Sequence, residues 1–152
     1  MLSSDPLASI GNVSGQVFYP VDHLLYLFDH GVLVPSEATK SRCSNISLLT
    51  WLISSLVTII TNLSALSGEN AQTRTEKKKQ RIRAISTFRF ALDAILAYHW
   101  LPKPASFQLK LNSSSTAFIG VLSSILALYV TIEMKKQSLI LKSRTKPPTA
   151  VQ

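Results

Sequence analysis

From Leu111 to Ile132 the chain carries no formal charge, and its apolar residues concentrate in 115–132. A second uncharged stretch, 46–66, has the same length class. A helix needs about 20 predominantly apolar residues to cross a hydrocarbon core of roughly 30 Å, so each stretch reads as a membrane span. Lys110 precedes the second span, and Lys135 and Lys136 follow it. The rival reading makes both stretches buried helices of a soluble bundle, and their many serines and threonines speak for it. Two such stretches in one short chain favour the membrane.

Around the spans lie shorter helical patterns. In 17–33, Val21, Leu24, Leu25 and Phe28 recur at i, i+3, i+4, i+7, the spacing of one helical face. Pro20 suits the first turn of this short amphipathic helix, and Gly31 followed by Pro35 stops it. Residues 1–15 are small and polar and read as loop or frayed helix, and 36–45 as a polar linker. The stretch 75–100 predicts a basic amphipathic helix opened by Lys77, Lys78, Lys79, Arg81 and Arg83. Ile85, Phe88, Leu92, Ile95, Leu96 and His99 fall on one side of it, and Arg83, Ser86, Thr87 and Asp93 on the other. Pro102 and Pro104 end it. Such a helix either lies in the head-group layer, with those five cations at the membrane surface, or packs on the other helices. Residues 133–152 read as a basic, solvated tail without fixed structure. The expected fold is an all-α integral membrane protein. It is a single domain over 1–152, with two transmembrane helices plus short amphipathic helices.

Each span carries a stripe of small or hydroxyl residues. In the first it is Ser47, Thr50, Ser54, Thr58, Thr61 and Ala65, and in the second Thr116, Ala117, Gly120, Ser124, Ala127 and Thr131. Small residues let helix backbones approach in lipid. Ser54, Thr58, Gly120, Ser124 and Ala127 are therefore expected to pair the two spans, within one chain or between chains. An oligomeric pore for small metabolites, lined by the hydroxyls, is the sharper alternative.

Composition sharpens this picture. The chain has 152 residues, a net charge of +8 and a 46% hydrophobic content. With the apolar weight in the spans, the remainder is strongly basic, which suits anionic lipids rather than nucleic acid. The single cysteine, Cys43, allows no intrachain disulfide and is a conceivable acylation site. His23 and His30 could share a helix face, but surface polarity explains them better than a metal, and His99 reads as an interfacial residue. No nucleophile elbow, phosphate-binding glycine loop or zinc pattern is present, so neither cofactor nor enzymatic activity is expected. The sequons at Asn12, Asn45, Asn62 and Asn112 read as incidental, and the first 16 residues lack the pattern of a cleavable signal peptide. Nine Lys/Arg between the spans against seven outside them leave the orientation open.

Particular segments resemble a known family. Val17-Phe18-Tyr19-Pro20-Val21-Asp22-His23-Leu24 opens the short helix, and Thr50-Trp51-Leu52 sits in the first span. His99-Trp100-Leu101-Pro102 closes the basic helix, and the last span reads Phe118-Ile119-Gly120-Val121-Leu122-Ser123-Ser124. Their order resembles the peroxisomal membrane peroxin-11 family, most closely its gamma-type member, from about Leu7 to Lys136. The resemblance implies a multi-pass protein of the peroxisomal membrane that promotes membrane elongation and fission and so controls organelle size and number. It also implies cytosolic termini, self-association and association with related members, and contact with fission factors. An adaptor that recruits those factors is a further alternative. By this resemblance the sequence is expected to begin where the family's middle would, without its N-terminal helical region and the membrane-remodelling amphipathic helix there.

Overall fold

A computed structural model describes residues 6–68, 72–102, 109 and 111–145. Among these there are four helices and no strand: α1 (Pro6–Asp29), α2 (Glu37–Gly68), α3 (Arg74–Trp100) and α4 (Ser113–Thr145). The all-α expectation holds.

The boundaries follow from local chemistry. α1 begins at Pro6, eleven residues before the predicted start, so Pro6 and not Pro20 is the first-turn proline. Pro20 sits inside the helix and denies the Gln16 carbonyl its usual partner. The N-terminal half of α1 is held by packing rather than propensity: a Cβ on Gly11 would meet Val57 Cγ1 of α2 at 2.9 Å. Gly31 ends the helix as expected. Its φ of +69° lets the Val32 amide return to the Leu27 carbonyl at 3.0 Å.

The predicted linker 36–45 is helix instead. Ser36 caps it, accepting from the Thr39 amide at 3.2 Å, and Glu37 stands in the first turn. α3 matches its predicted extent because its signals are strong. Thr73 and Glu76 form a capping box, and Leu101 is extended before Pro102. Asn112 caps α4 by accepting from the Ser115 amide at 2.7 Å. α4 then runs to Thr145, so 133–145 is helix rather than loose tail, while 146–152 lies outside the described residues.

The helices pack in sequence order, α1 on α2, α2 on α3 and α3 on α4. Each pair is antiparallel. Phe18 stacks on Trp51 at 6.2 Å while Asp29 pairs with Lys40 at 2.7 Å, and Trp51 lies 6.1 Å from Trp100. Lys78 reaches Glu133 at 2.7 Å, and Leu96 lies beside Gly120. The backbones of α2 and α4 do not approach within 8 Å among the described residues. α3 separates them, and they run parallel to each other.

Candidate functional site

The molecule has three surfaces that bear on function: an apolar exterior, a buried polar cluster and a basic end. The apolar exterior consists of two stripes. Ile46, Leu49, Ile53, Leu56, Ile60 and Leu63 line the outside of α2, and Phe118, Val121, Ile125, Leu128 and Ile132 the outside of α4. Both recur every three to four residues, which keeps them on one helical face. Only 17% of the apolar window of α2 and 11% of that of α4 is buried. Core helices of a soluble bundle would be mostly covered, and faces this large and apolar are foreign to a surface in water. α2 and α4 are long and apolar enough to cross a membrane.

The small-residue stripes do not join the two spans within the chain. Ser54 donates to the Trp51 carbonyl at 2.9 Å and Thr58 to the Ser54 carbonyl at 2.8 Å. Ser124 donates to the Gly120 carbonyl and Thr131 to the Ala127 carbonyl, each at 2.9 Å. Hydroxyls on a helix interior find their own carbonyls first, and these four donate within their own helix rather than across to the other span. Gly120 does serve packing, but against Leu96 of α3 at 3.9 Å. Ser124 is exposed; its neighbour Ser123 is the buried residue.

Ser123 Oγ donates to Asp93 of α3, whose second oxygen pairs with Arg89 at 3.3 Å. Asp93 is 5% exposed, and the Arg89 guanidinium lies 4.5 Å from the centre of the Phe90 ring. The helical wheel placed Asp93 on the polar, outward side and Phe88 and Ile95 on the packed side. The structure reverses this: Ile82, Leu92, Asp93, Leu96 and Ala97 are buried, and Phe88 and Ile95 face out. A helix with neighbours on two sides buries a broader arc than one amphipathic face. The sequence signal was the i, i+4 Arg89–Asp93 pair, two opposite charges placed to meet on one helix face.

The basic end carries the predicted surface cations. Lys77, Lys78, Lys79 and Arg81 are exposed or nearly so, and Arg83 is half-buried. They divide between two hollows. Arg74, Lys77, Lys78 and Arg81 line a cleft on α4 that Glu133 shares, and Lys79 and Arg83 line a cavity among α2, α3 and α4. In the capping box, the Glu76 carboxylate accepts from the Thr73 amide at 2.8 Å and the Gln72 amide at 3.0 Å. The Thr73 bonds hold its pKa below the usual 4.5. Elsewhere, the rings of His23 and His30 bond their own helix carbonyls, of Tyr19 at 2.7 Å and of Tyr26 at 2.8 Å. His99 bonds the Leu109 carbonyl at 2.7 Å, and Cys43 is a half-buried free thiol.

A human protein, peroxisomal membrane protein 11C, is 24% identical over 136 residues, covering 79% of this chain and 55% of its own length. The chain thus spans about half the length of this curated relative. No solved structure matches. The family model for peroxisomal biogenesis factor 11 matches residues 5–132, from the start of α1 to the end of the apolar part of α4. The resemblance read from the residues is borne out: the chain belongs to the peroxisomal biogenesis factor 11 (PEX11) family.

Proposed function

We propose that this chain is a multi-pass protein of the peroxisomal membrane that promotes membrane elongation and fission, and so sets peroxisome size and number. Family membership supports the organelle, and the exposed apolar stripes of α2 and α4 support the bilayer. The observation that carries the physical part is the order of packing. α3 lies antiparallel between two parallel helices of membrane-crossing length. Two spans that cross in the same direction require the chain to return between them, and α3 is that return. Its segment 84–101 holds two charges, Arg89 and Asp93, paired with each other. That length rises about 27 Å, close to the hydrocarbon thickness. On this reading α3 crosses the bilayer instead of lying flat as a leaflet wedge.

The topology also sorts the charge. Among the residues whose side chains the structure describes, Arg74, Lys77, Lys78, Lys79, Arg81, Arg83, Lys135 and Lys136 gather at one end of the row, and Lys40 and Arg42 stand at the other, with Lys103 and Lys110 outside the described residues. That clustering is the asymmetry that a linear count of the connecting segment concealed. It favours the basic end, where Pro6 and Thr145 also lie, on the cytosolic side. There each cation adds about 1 kcal/mol of attraction to an anionic leaflet. Gathering acidic lipids on one leaflet only is a physical route to bending.

Expression of the tagged full-length chain with a peroxisome marker tests the reading. Co-localisation, resistance to alkaline carbonate extraction and longer or more numerous peroxisomes are expected. A protein released by carbonate, or resident in another organelle, would overturn it.

A further inference from the structure

We propose that α1 is itself embedded in the bilayer, with the face that bears Ile10, Val13 and Val17 against acyl chains. This inference rests on the bilayer placement above. Three contacts fix the register of α1 on α2: a Cβ on Gly11 would meet Val57, Phe18 stacks on Trp51, and Asp29 pairs with Lys40. Antiparallel helices advance by the same rise per residue, so the levels between these contacts follow. Gly11 stands level with the middle of the uncharged stretch 46–66, and Phe18 lies within it. The same register sets Asp22, the first charge of α1, level with Ser47, at the edge of that stretch.

Residues 6–21 carry no formal charge, so the uncharged part of α1 lies at the depth of the uncharged part of α2. Packing in water does not require neighbouring helices to turn from uncharged to charged at one level, whereas a hydrocarbon boundary does. The segment rises about 24 Å, most of the hydrocarbon thickness. Ile10, Val13 and Val17 are exposed along it, and their i, i+3, i+7 spacing gathers them on one face, like the outward stripes of α2 and α4. Aromatic rings mark the far boundary. Tyr19 meets Phe18 edge-on, Phe18 stacks on Trp51, and Trp51 lies 6.1 Å from Trp100, with Tyr19 and Trp100 exposed. Such a belt collects where hydrocarbon gives way to head groups, and here it draws on α1, α2 and α3 alike. The other exposed side of the segment carries Asn12 and Gln16. A neutral amide is costly in an apolar medium, but far less so than a charge, and the contacts of Gly11 and Phe18 with α2 hold the helix against that cost.

The test uses the purified full-length chain in a Cys43→Ser background, reconstituted in phosphatidylcholine vesicles. Val13→Cys, Ile53→Cys and Val34→Cys each carry a nitroxide. Electron paramagnetic resonance reads its collisions with oxygen, which concentrates in hydrocarbon, and with a water-soluble nickel chelate present on both faces. Ile53 belongs to the outward stripe of α2, and Val34 is exposed in the turn between α1 and α2. Val13→Cys should match Ile53→Cys, open to oxygen and with nickel collisions severalfold below those of Val34→Cys. Nickel access at Val13→Cys equal to that at Val34→Cys overturns the proposal. Shielding from both reagents overturns acyl chains as the occupant and puts a protein surface there instead. Should Val13→Cys fail to fold, Ile10→Cys on the same face decides by the same comparison. Ile53→Cys separates the two levels of the account. If nickel reaches it as well, the bilayer placement fails and α1 with it; if Ile53→Cys sits in lipid and Val13→Cys in water, the embedding of α1 alone fails.

Discussion

α3 and the two helices beside it follow opposite rules. α2 and α4 are the apolar helices, yet they turn Ile53, Leu56, Phe118 and Leu128 outward. α3 opens with a run of cations and carries Arg89 and Asp93 farther on, yet it buries Leu92, Asp93, Leu96 and Ala97. In water the most apolar helix would sit in the middle. Lipid solvates apolar side chains as well as a protein interior does, so the middle goes to the helix whose polar groups most need protein partners. The contrast shows that hydropathy in this chain marks the periphery rather than the core.

The largest expected effect comes from Asp93. Asp93→Leu leaves Arg89 as an uncompensated charge among α3 and its neighbours, and should destabilise the protein by about 3–5 kcal/mol in detergent denaturation. Adding Arg89→Leu should recover most of the loss, because an apolar pair of similar volume replaces the buried ions. If Asp93→Leu is neutral, the centre of the row is not where the structure puts it. Next in size is a paired truncation. Leu96→Ala should cost about 2–4 kcal/mol through the cavity it leaves, whereas Leu128→Ala on the lipid side should stay within about 0.5 kcal/mol. Equal losses would erase the distinction between α3 and α4.

Gly11→Val sharpens the same contrast for the outermost helix. The added side chain meets Val57 and should cost about 1–3 kcal/mol, read as earlier melting with loss of α1 contacts to α2. The smallest effect concerns the start of α3. Thr73→Ala should cost about 1 kcal/mol. The Glu76 carboxylate contributes stability that is fully present above its ordinary pKa of 4.5 and is lost as pH falls through the lower folded value. Hydrogen exchange should therefore show the first turn of α3 opening in acid below the usual glutamate range, and Glu76→Gln should abolish that pH dependence.

Much of the fold was legible because its signals are local. The uncharged runs marked α2 and α4, Thr73 with Glu76 fixed the start of α3, and Gly31 stopped α1. What escaped was long-range. Pro20 reads as a start because proline favours the first turn of a helix, whereas the run of α1 back to Pro6 depends on packing against a distant helix, Gly11 on Val57. Ser36 and the segment after it looked like linker because a polar first turn and a loop share a composition. The site was partly visible as a cluster of cations, Lys77 to Arg83. Their division between two hollows depends on helices distant in sequence. Asp93 was misplaced because a wheel assumes one neighbour, and α3 has two.

The direct test of the central claim, that α3 crosses between two parallel spans, is the sidedness of its two ends. In a Cys43→Ser background, Lys77→Cys and Leu109→Cys would each be treated with an impermeant maleimide on intact organelles. The account predicts that Lys77→Cys is labelled at once and Leu109→Cys only after detergent. Labelling of both together, or protection of both, would place the whole segment between α2 and α4 on one side of the membrane and contradict it.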